Sequence, residues 1–270
     1  PHFAPDAKIV HIDIDPAEIG KNIRVTQPVI GDAKPALARL TQRLAARDRS
    51  AWGARVAAWK AQYPVAHPQP EGGIRPDALL RILHEATNGE AILTTEVGQH
   101  QMWTAQFYPF ERPRTFLSSG GLGTMGYGPG AALGAQAAFP DKRVVNVAGD
   151  GSFYMNMNEL VTAVTFDLPI IELVVNNGVL GMVRQWQKLF YDRRYSHTTL
   201  QRVGDLAALA RAMGAEGLTV NTEAELPGAL QQALAFRRPC LIDVRMGQDV
   251  NVLPMVPAGK PNHEQILSID

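Results

Sequence analysis

Two short segments carry polar residues that could hold a ligand: "GDG" at 149–151 and "NN" at 176–177. Each follows an apolar run, "KRVVNVA" before Asp150 and "PIIELVV" before the asparagines, and the helical pattern "NELVTAVTF" lies between them. A strand–helix–strand connection of this kind brings Asp150 and Asn177 to the same edge of a parallel sheet. A carboxylate beside an amide oxygen is hard-ligand chemistry and suits Mg²⁺. Two such groups do not fill an octahedron, and Mg²⁺ usually completes its shell with phosphate oxygens and water. Gly149 and Gly151, with the start of the helix behind them, would let backbone N–H groups approach a phosphate. The pair therefore reads as a metal-bridged diphosphate site. The plainer alternative is an N-capping Asp150 and a turn Asn177.

A second candidate is "SSGGLGTMGYGPG" at 118–130, in which Gly121 to Gly126 fit G-x-G-x-x-G. A dinucleotide reading needs a strand before the glycines, a helix after them, and an acid at the end of the next strand. Asp141 has suitable spacing but precedes the strand "KRVVNVAG", where it cannot reach a ribose. The loop holds glycines at 120, 121, 123, 126, 128 and 130. That density suggests backbone packed against a flat ligand or a neighbouring chain, or simply a turn.

The elements that must position these residues follow from hydrophobic periodicity. "KIVHIDI" (8–14) is a strand, and a short helix follows near 35–46. Residues 47–75 read as a connecting helix and linker, the linker proper from about 63. "RPDALLRILHEAT" is an amphipathic helix with apolar residues at 79, 80, 82 and 83; "AILTTEV", "KRVVNVAG", "PIIELVVNN", "AEGLTV" and "PCLIDVRM" are strands alternating with helices. Most of these strands are apolar on both faces, which predicts an α/β fold with a doubly wound, mostly parallel sheet over 76–270. Ligands in such folds bind beyond the carboxyl ends of the strands. Residues 1–46 read as the end of a second α/β domain.

Composition fits a globular protein: of 270 residues 46% are hydrophobic and 19% charged, with zero formal net charge. Nothing in that balance calls for nucleic acid or a membrane surface, and no apolar run is long enough to span a bilayer. The one cysteine, Cys240, excludes an intrachain disulfide and reads as a buried structural thiol in a reducing compartment. The histidines show no zinc spacing. A cytoplasmic location is expected. The chain opens at "PHFAPD" without Met, as a piece of a longer protein would, so organellar targeting stays open.

With these residues in view, GDG followed by NN resembles the motif of thiamine diphosphate enzymes. "EVGQHQMW", "SSGGLGTMGYGPGAALGA", "NNGVLGMVRQWQKLFY", "RYSHT" and "NVLPMVPAG" are similar to the catalytic subunits of acetolactate synthases, and the resemblance covers essentially the whole chain. It implies that residues 1–46 end the family's central, FAD-contacting domain and that 76–270 form its cofactor domain. The resemblance implies Mg²⁺ on Asp150, Asn177 and the carbonyl of Val179. It places Gly98, Gln99, His100, Gly149, Gly151, Ser152, Gly181 and Met182 around thiamine diphosphate, with Gly123 and Met125 against the aminopyrimidine. Asp13 and Asp32, at the ends of a βαβ-like unit, match acidic positions near FAD; by themselves they read as turn residues. Met182 and Trp186 lie four apart on one helical face, and the family uses that Trp to shape the pocket for the second substrate.

The reaction implied is decarboxylation of pyruvate and carboligation to a second 2-oxo acid, pyruvate or 2-oxobutyrate. The implied assembly is a homodimer or tetramer with shared active sites and a small regulatory subunit. The family's catalytic glutamate is expected in an N-terminal domain beyond these residues. Glu96 is a tempting local substitute, but its loop matches the diphosphate end of the site. Pyruvate oxidases, glyoxylate carboligases and 2-oxo acid decarboxylases share GDG and NN, and a non-catalytic cofactor-holding fragment is a further alternative. "RQWQKLFY" with "NVLPMVPAG" favours acetolactate synthase over these.

Overall fold

The computed structural model describes residues 3–64, 73–200 and 204–269. They divide into two units, one of residues 1–65 with 256–266 and one of 66–255 with 267–270. In the first, β1 (Val10–Asp13) pairs in parallel with β2 (Gln27–Ile30), and α1 (Ala33–Arg43) and α2 (Ser50–Gln62) follow. Of the expected βαβ-like unit the parallel strand pair is present, with Asp13 ending β1 and Asp32 just past β2, while the connection holds the 3-10 turn Pro16–Glu18 in place of an α-helix. Residues 14–26 are long enough for a parallel crossover without an α-helix. No described side chain of this unit is buried. Of the linker expected over 63–75, residues 65–72 lie outside the described residues.

The second unit alternates α3 (Pro76–Ala86), β3 (Ile92–Thr95), α4 (Gln99–Phe107), β4 (Phe116–Ser118), α5 (Tyr127–Ala138), β5 (Val144–Gly149), α6 (Asp150–Asn156), α7 (Glu159–Thr165), β6 (Ile171–Asn176), α8 (Gly181–Phe190), α9 (Leu206–Ala212), β7 (Glu216–Val220), α10 (Leu226–Ala235) and β8 (Cys240–Arg245). Its sheet has six strands in the order β4-β3-β5-β6-β8-β7, every pair parallel. The expected doubly wound α/β architecture is therefore the observed one.

Period-2 alternation divides the strands between two cores. Val145 and Val147 of β5 join Leu173, Val175 and Ile242 beneath Leu79, Leu80 and Leu83 of α3, Trp103 of α4 and Leu226 and Leu230 of α10. Val144 and Ala148 face the other way, toward Ala132 and Ala135 of α5, Ala163 of α7, and Phe153 and Leu206. Covering both faces makes β5, β6 and β8 almost wholly buried and holds their ends in place. Cys240 is part of this core, and burial pushes its thiol up to about 12, with Glu216 adding to the shift. It is an inert structural thiol. The chain leaves β3 for the edge strand β4 and returns to β5 on β3's other side. This reversal opens a crevice at the carboxyl ends of β3 and β5, where α/β folds bind ligands. Among the described residues, no helix is long and apolar enough to cross a membrane.

Candidate functional site

The loops after β3, β5 and β6 converge on one pocket at that crevice. Register sets them side by side: Thr95 of β3 lies opposite Val147 of β5, and Gly149 of β5 opposite Val175 of β6. Gly98, Gln99, His100, Met125, Gly149, Asp150, Gly151, Ser152, Asn177, Val179, Gly181 and Met182 all line the pocket, with Val97, Trp103, Val175, Leu180 and Val183. It holds about 520 Å³ of space, part of it open to solvent.

Asp150 is buried and occupies the first position of α6; Gly149, not Asp150, is the N-cap residue. Its carboxylate is thus not a capping group in the usual sense. The loop after β6 is braced from outside: Leu180 donates its N–H to the Thr198 carbonyl at 2.8 Å, and Leu200 donates to Gly178 at 2.8 Å. Asn177 Oδ1 accepts the Val179 N–H at 3.2 Å, which closes an Asx turn and aims the amide along the pocket wall. Beside it, Asn176 donates to the buried Asp243 carboxylate at 2.8 Å, and Arg245 reaches the same carboxylate at 2.7 Å. Burial holds Asp243 above the usual carboxylate range, against the lowering effect of Asn176 and Arg245. Ser152 Oγ donates to the Val97 carbonyl at 3.4 Å, which ties the β5 loop to the β3 loop.

Gln99 lines the pocket, yet its amide nitrogen already serves the fold. It donates to Gln185 Oε1 and to the Val250 carbonyl, both at 2.9 Å. Gln185 in turn donates to the Val252 carbonyl at 2.9 Å and accepts the Val252 N–H at 2.8 Å. These two buried glutamines join the start of α4, the middle of α8 and the 250–252 segment. Gln185, of a type usually exposed, carried no sequence signal for this buried role, and the lining residues Leu180 and Val97 are ordinary interior types.

Two residues expected at the site do not line it. Gly123 is half-buried with left-handed backbone (φ +66°) near Val97. Trp186 is 47% exposed on α8, while Met182, one turn earlier, reaches the pocket. Asp13 and Asp32 belong to the first unit, where both cap local turns. Asp13 Oδ1 accepts the Asp15 N–H at 2.9 Å, and Asp32, the N-cap of α1, accepts the Lys34 N–H at 2.7 Å. Glu96 is fully buried behind the lining residues, with Oε1 accepting a hydrogen bond from Asn146 at 3.3 Å. Among the described lining residues the one carboxylate is Asp150.

The donor set can bind a divalent cation only together with an anionic ligand. Among the described residues no group of three or more His, Cys, Asp or Glu side chains could hold a metal. One buried carboxylate, one amide and the carbonyls of a braced loop leave coordination positions for phosphate oxygens. The residues therefore fit a Mg²⁺-bridged diphosphate, with an apolar stretch of wall beyond it at Val97, Met125, Leu180 and Met182.

Comparison with known proteins agrees with this chemistry. Residues 1–40 match the central domain of thiamine pyrophosphate enzymes. The large subunit of acetolactate synthase from Corynebacterium glutamicum is 46% identical over 97% of this chain and 44% of its own length. The large subunit from Haemophilus influenzae is 38% identical over 98% of this chain and 48% of its own. The mitochondrial catalytic subunit from Saccharomyces cerevisiae is 41% identical over 95% and 39%. The chain spans less than half the length of these relatives. Residues 96–244 match the C-terminal binding domain of thiamine pyrophosphate (thiamine diphosphate) enzymes. That match covers more than half of the chain and contains the entire pocket, so the chain belongs to the thiamine pyrophosphate enzyme family.

Proposed function

We propose that the chain is the cofactor-binding portion of an acetolactate synthase catalytic subunit. The intact protein would decarboxylate pyruvate and join the remaining two-carbon unit to pyruvate or 2-oxobutyrate, giving acetolactate or acetohydroxybutyrate for branched-chain amino acid biosynthesis. The observation that carries the reading is the placement of Asp150 and Asn177 at adjacent strand ends in one pocket with His100, Met125 and Met182. Relatives named as acetolactate synthase subunits, aligned along nearly all of the chain, support the choice of reaction.

When bound, thiamine diphosphate supplies the carbon nucleophile for decarboxylation and carbon–carbon bond formation. In this reading Asp150, Asn177 and the Val179 carbonyl hold Mg²⁺. Gly98, His100, Gly149, Gly151, Ser152 and Gly181 border the diphosphate. Gln99, whose side-chain nitrogen is already donated twice, contributes through its backbone N–H. Gly123 and Met125 lie at the aminopyrimidine end. Met182 packs on the substrate side, with Trp186 shaping access for the second substrate. Asp13 and Asp32 keep lone pairs for the ribose hydroxyls of FAD. Asp150 serves the metal, so the carboxyl group that activates the aminopyrimidine comes from outside this chain. A neighbouring subunit in a homodimer or tetramer would supply it, and a small regulatory subunit is the expected partner.

The test is product analysis with full-length protein, Mg²⁺, thiamine diphosphate, FAD and pyruvate, with and without 2-oxobutyrate. Acetolactate, joined by acetohydroxybutyrate when 2-oxobutyrate is present, is the expected outcome. Free aldehyde, acetyl phosphate or acetate as the main product would overturn it.

A further inference from the structure

Behind the pocket wall lies a buried polar cluster that the proposed chemistry leaves unused. Strand register sets Thr94, Asn146 and Glu172 abreast across β3, β5 and β6. Thr94 Oγ donates to Asn146 Oδ1 at 3.0 Å, which fixes the direction of the amide. Its NH₂ group donates to Glu172 Oε2 at 2.7 Å and to Glu96 Oε1 at 3.3 Å. Gly128 of α5 has no side chain because a Cβ there would collide with Asn146 Oδ1 and lie 2.7 Å from Glu96 Oε1. The cluster is therefore built into the packing of α5 on the sheet.

Its open end points at the pocket. Glu96 Oε2 lies 3.3 Å from His100 Nε2; Glu96 is 0% and His100 5% exposed. The two atoms face each other at contact distance without hydrogen-bond geometry, and neither makes a hydrogen bond to any described group. The far edge of the imidazole sits between two glycines. A Cβ on Gly98 would fall 2.5 Å from His100 Cε1 and 2.7 Å from Nδ1, and one on Gly149 2.8 Å from Nδ1. Both glycines and His100 line the pocket. At Gly98 and Gly149 the missing side chains thus make room for a ring of this chain, in addition to any ligand. Burial pushes Glu172 up to about 8, with Glu96 adding to the shift and the Asn146 bond opposing it. Of the two acids of the cluster, Glu96 is the one that faces His100.

We propose that Glu96 is a positioning residue: its buried carboxylate seats the His100 imidazole in the slot between Gly98 and Gly149, holding a ring nitrogen toward the diphosphate end of the pocket. A carboxylate on one ring nitrogen sets the orientation and the proton of the other, as it does for histidines that bind metals or anions. The inference rests on the thiamine diphosphate reading of the pocket.

The experiment measures binding of thiamine diphosphate and thiamine monophosphate to full-length protein at saturating Mg²⁺. It compares wild type, Glu96→Gln, His100→Gln and the double variant. Glu96→Gln is expected to weaken the diphosphate about tenfold and the monophosphate markedly less, with kcat at saturating cofactor changed less than about threefold. Because Glu96 acts through His100, the double variant should bind no more weakly than His100→Gln alone. Should Glu96→Gln not fold, Glu96→Asp, which keeps the acid but draws it back from His100, must produce the same selective loss. Unchanged diphosphate affinity in Glu96→Gln, equal losses for both ligands, or losses that multiply in the double variant overturn this inference alone. A wild-type protein that binds no thiamine diphosphate overturns the pocket reading together with it.

Discussion

The two units treat apolar surface in opposite ways. In the second, four strands, β3, β5, β6 and β8, carry buried side chains on both faces, and helices close over each face. In the first, Val10 is 59% exposed, Ile30 61% and Leu37 50%, although strands and helices are present. A two-stranded sheet gains little from backbone pairing alone, and helices owe most of their stability to packing of an apolar face. Among the described residues, the first unit thus shows regular structure without a core. The difference bears on chemistry, because a site needs its groups held within a fraction of an ångström. Asp150 and Asn177 stand on strands clamped from both sides. Asp13 and Asp32 stand on a scaffold whose described residues provide no such clamp.

Binding measurements put that contrast under the strongest strain. Asp150→Ala in the full-length protein should abolish Mg²⁺-dependent thiamine diphosphate binding, a loss of at least about 100-fold, since even residues behind metal ligands cost 10- to 100-fold. Asp32→Ala should leave that affinity within about twofold, and should cost only the N-cap of α1, about 1 kcal/mol. Titration calorimetry reads both. Thiamine diphosphate affinity unchanged in Asp150→Ala would break the metal assignment.

Stability measurements sharpen the comparison next. Leu173 is fully buried in the centre of β6, so Leu173→Ala should cost about 2–5 kcal/mol. Leu37→Ala, at a half-exposed position on α1, should cost within about 0.5 kcal/mol. Denaturant melts of the two variants decide it. Similar costs would show that the first unit has a core that the described residues do not reveal.

The same strands show what a sequence can and cannot disclose. Asp150 and Asn177 were legible because each polar residue ends an apolar run, beside glycine or a second asparagine. Position along a strand is a local property, and a strand's end is visible in one dimension. Thr94, Asn146, Glu172 and Asp243 sit inside such runs, where they look like interruptions. Their meaning depends on which residue lies opposite, as Asn146 does to Glu172, and register is not local. The glycines of the 118–130 loop differ for the same reason. Gly128 faces the Glu96–Asn146 cluster, whereas a Cβ on Gly120, Gly121 or Gly130 would meet nothing within 4 Å. Pattern alone could not separate these glycines.

Glu172 tests the buried cluster through pH. Its folded-state pKa is raised from 4.5 to about 8. Between those values the folded chain holds a proton that the unfolded chain releases. The stability this group contributes is fully present below the unfolded pKa and is lost as pH rises through the folded one. The slope is at most about 1.4 kcal/mol per pH unit. Glu172→Gln is neutral at every pH and should flatten this part of the profile, so the variant gains on wild type as pH rises from about 5 to about 8. Parallel profiles for the two proteins would show that burial does not hold the proton on Glu172 in the fold.

The smallest expected effect concerns Trp186. The ring is about half exposed on α8, one turn from Met182, and it does not itself line the pocket. Truncating a half-exposed side chain should change stability within about 0.5 kcal/mol, so a change in selectivity could not be blamed on a damaged fold. Discrimination between acceptors that differ by one methylene is worth about 1–3 kcal/mol at best when a pocket encloses that group. A residue at the margin can supply only part of it. Trp186→Leu in the full-length enzyme should therefore lower the preference for 2-oxobutyrate over pyruvate by a few-fold, about 3- to 10-fold, while acetolactate formation falls less. The measurement is the ratio of acetohydroxybutyrate to acetolactate with both acceptors competing in one reaction. A constant ratio with both products reduced alike would assign Trp186 to the packing of α8 and leave Met182 as the residue of that helix which meets the substrate.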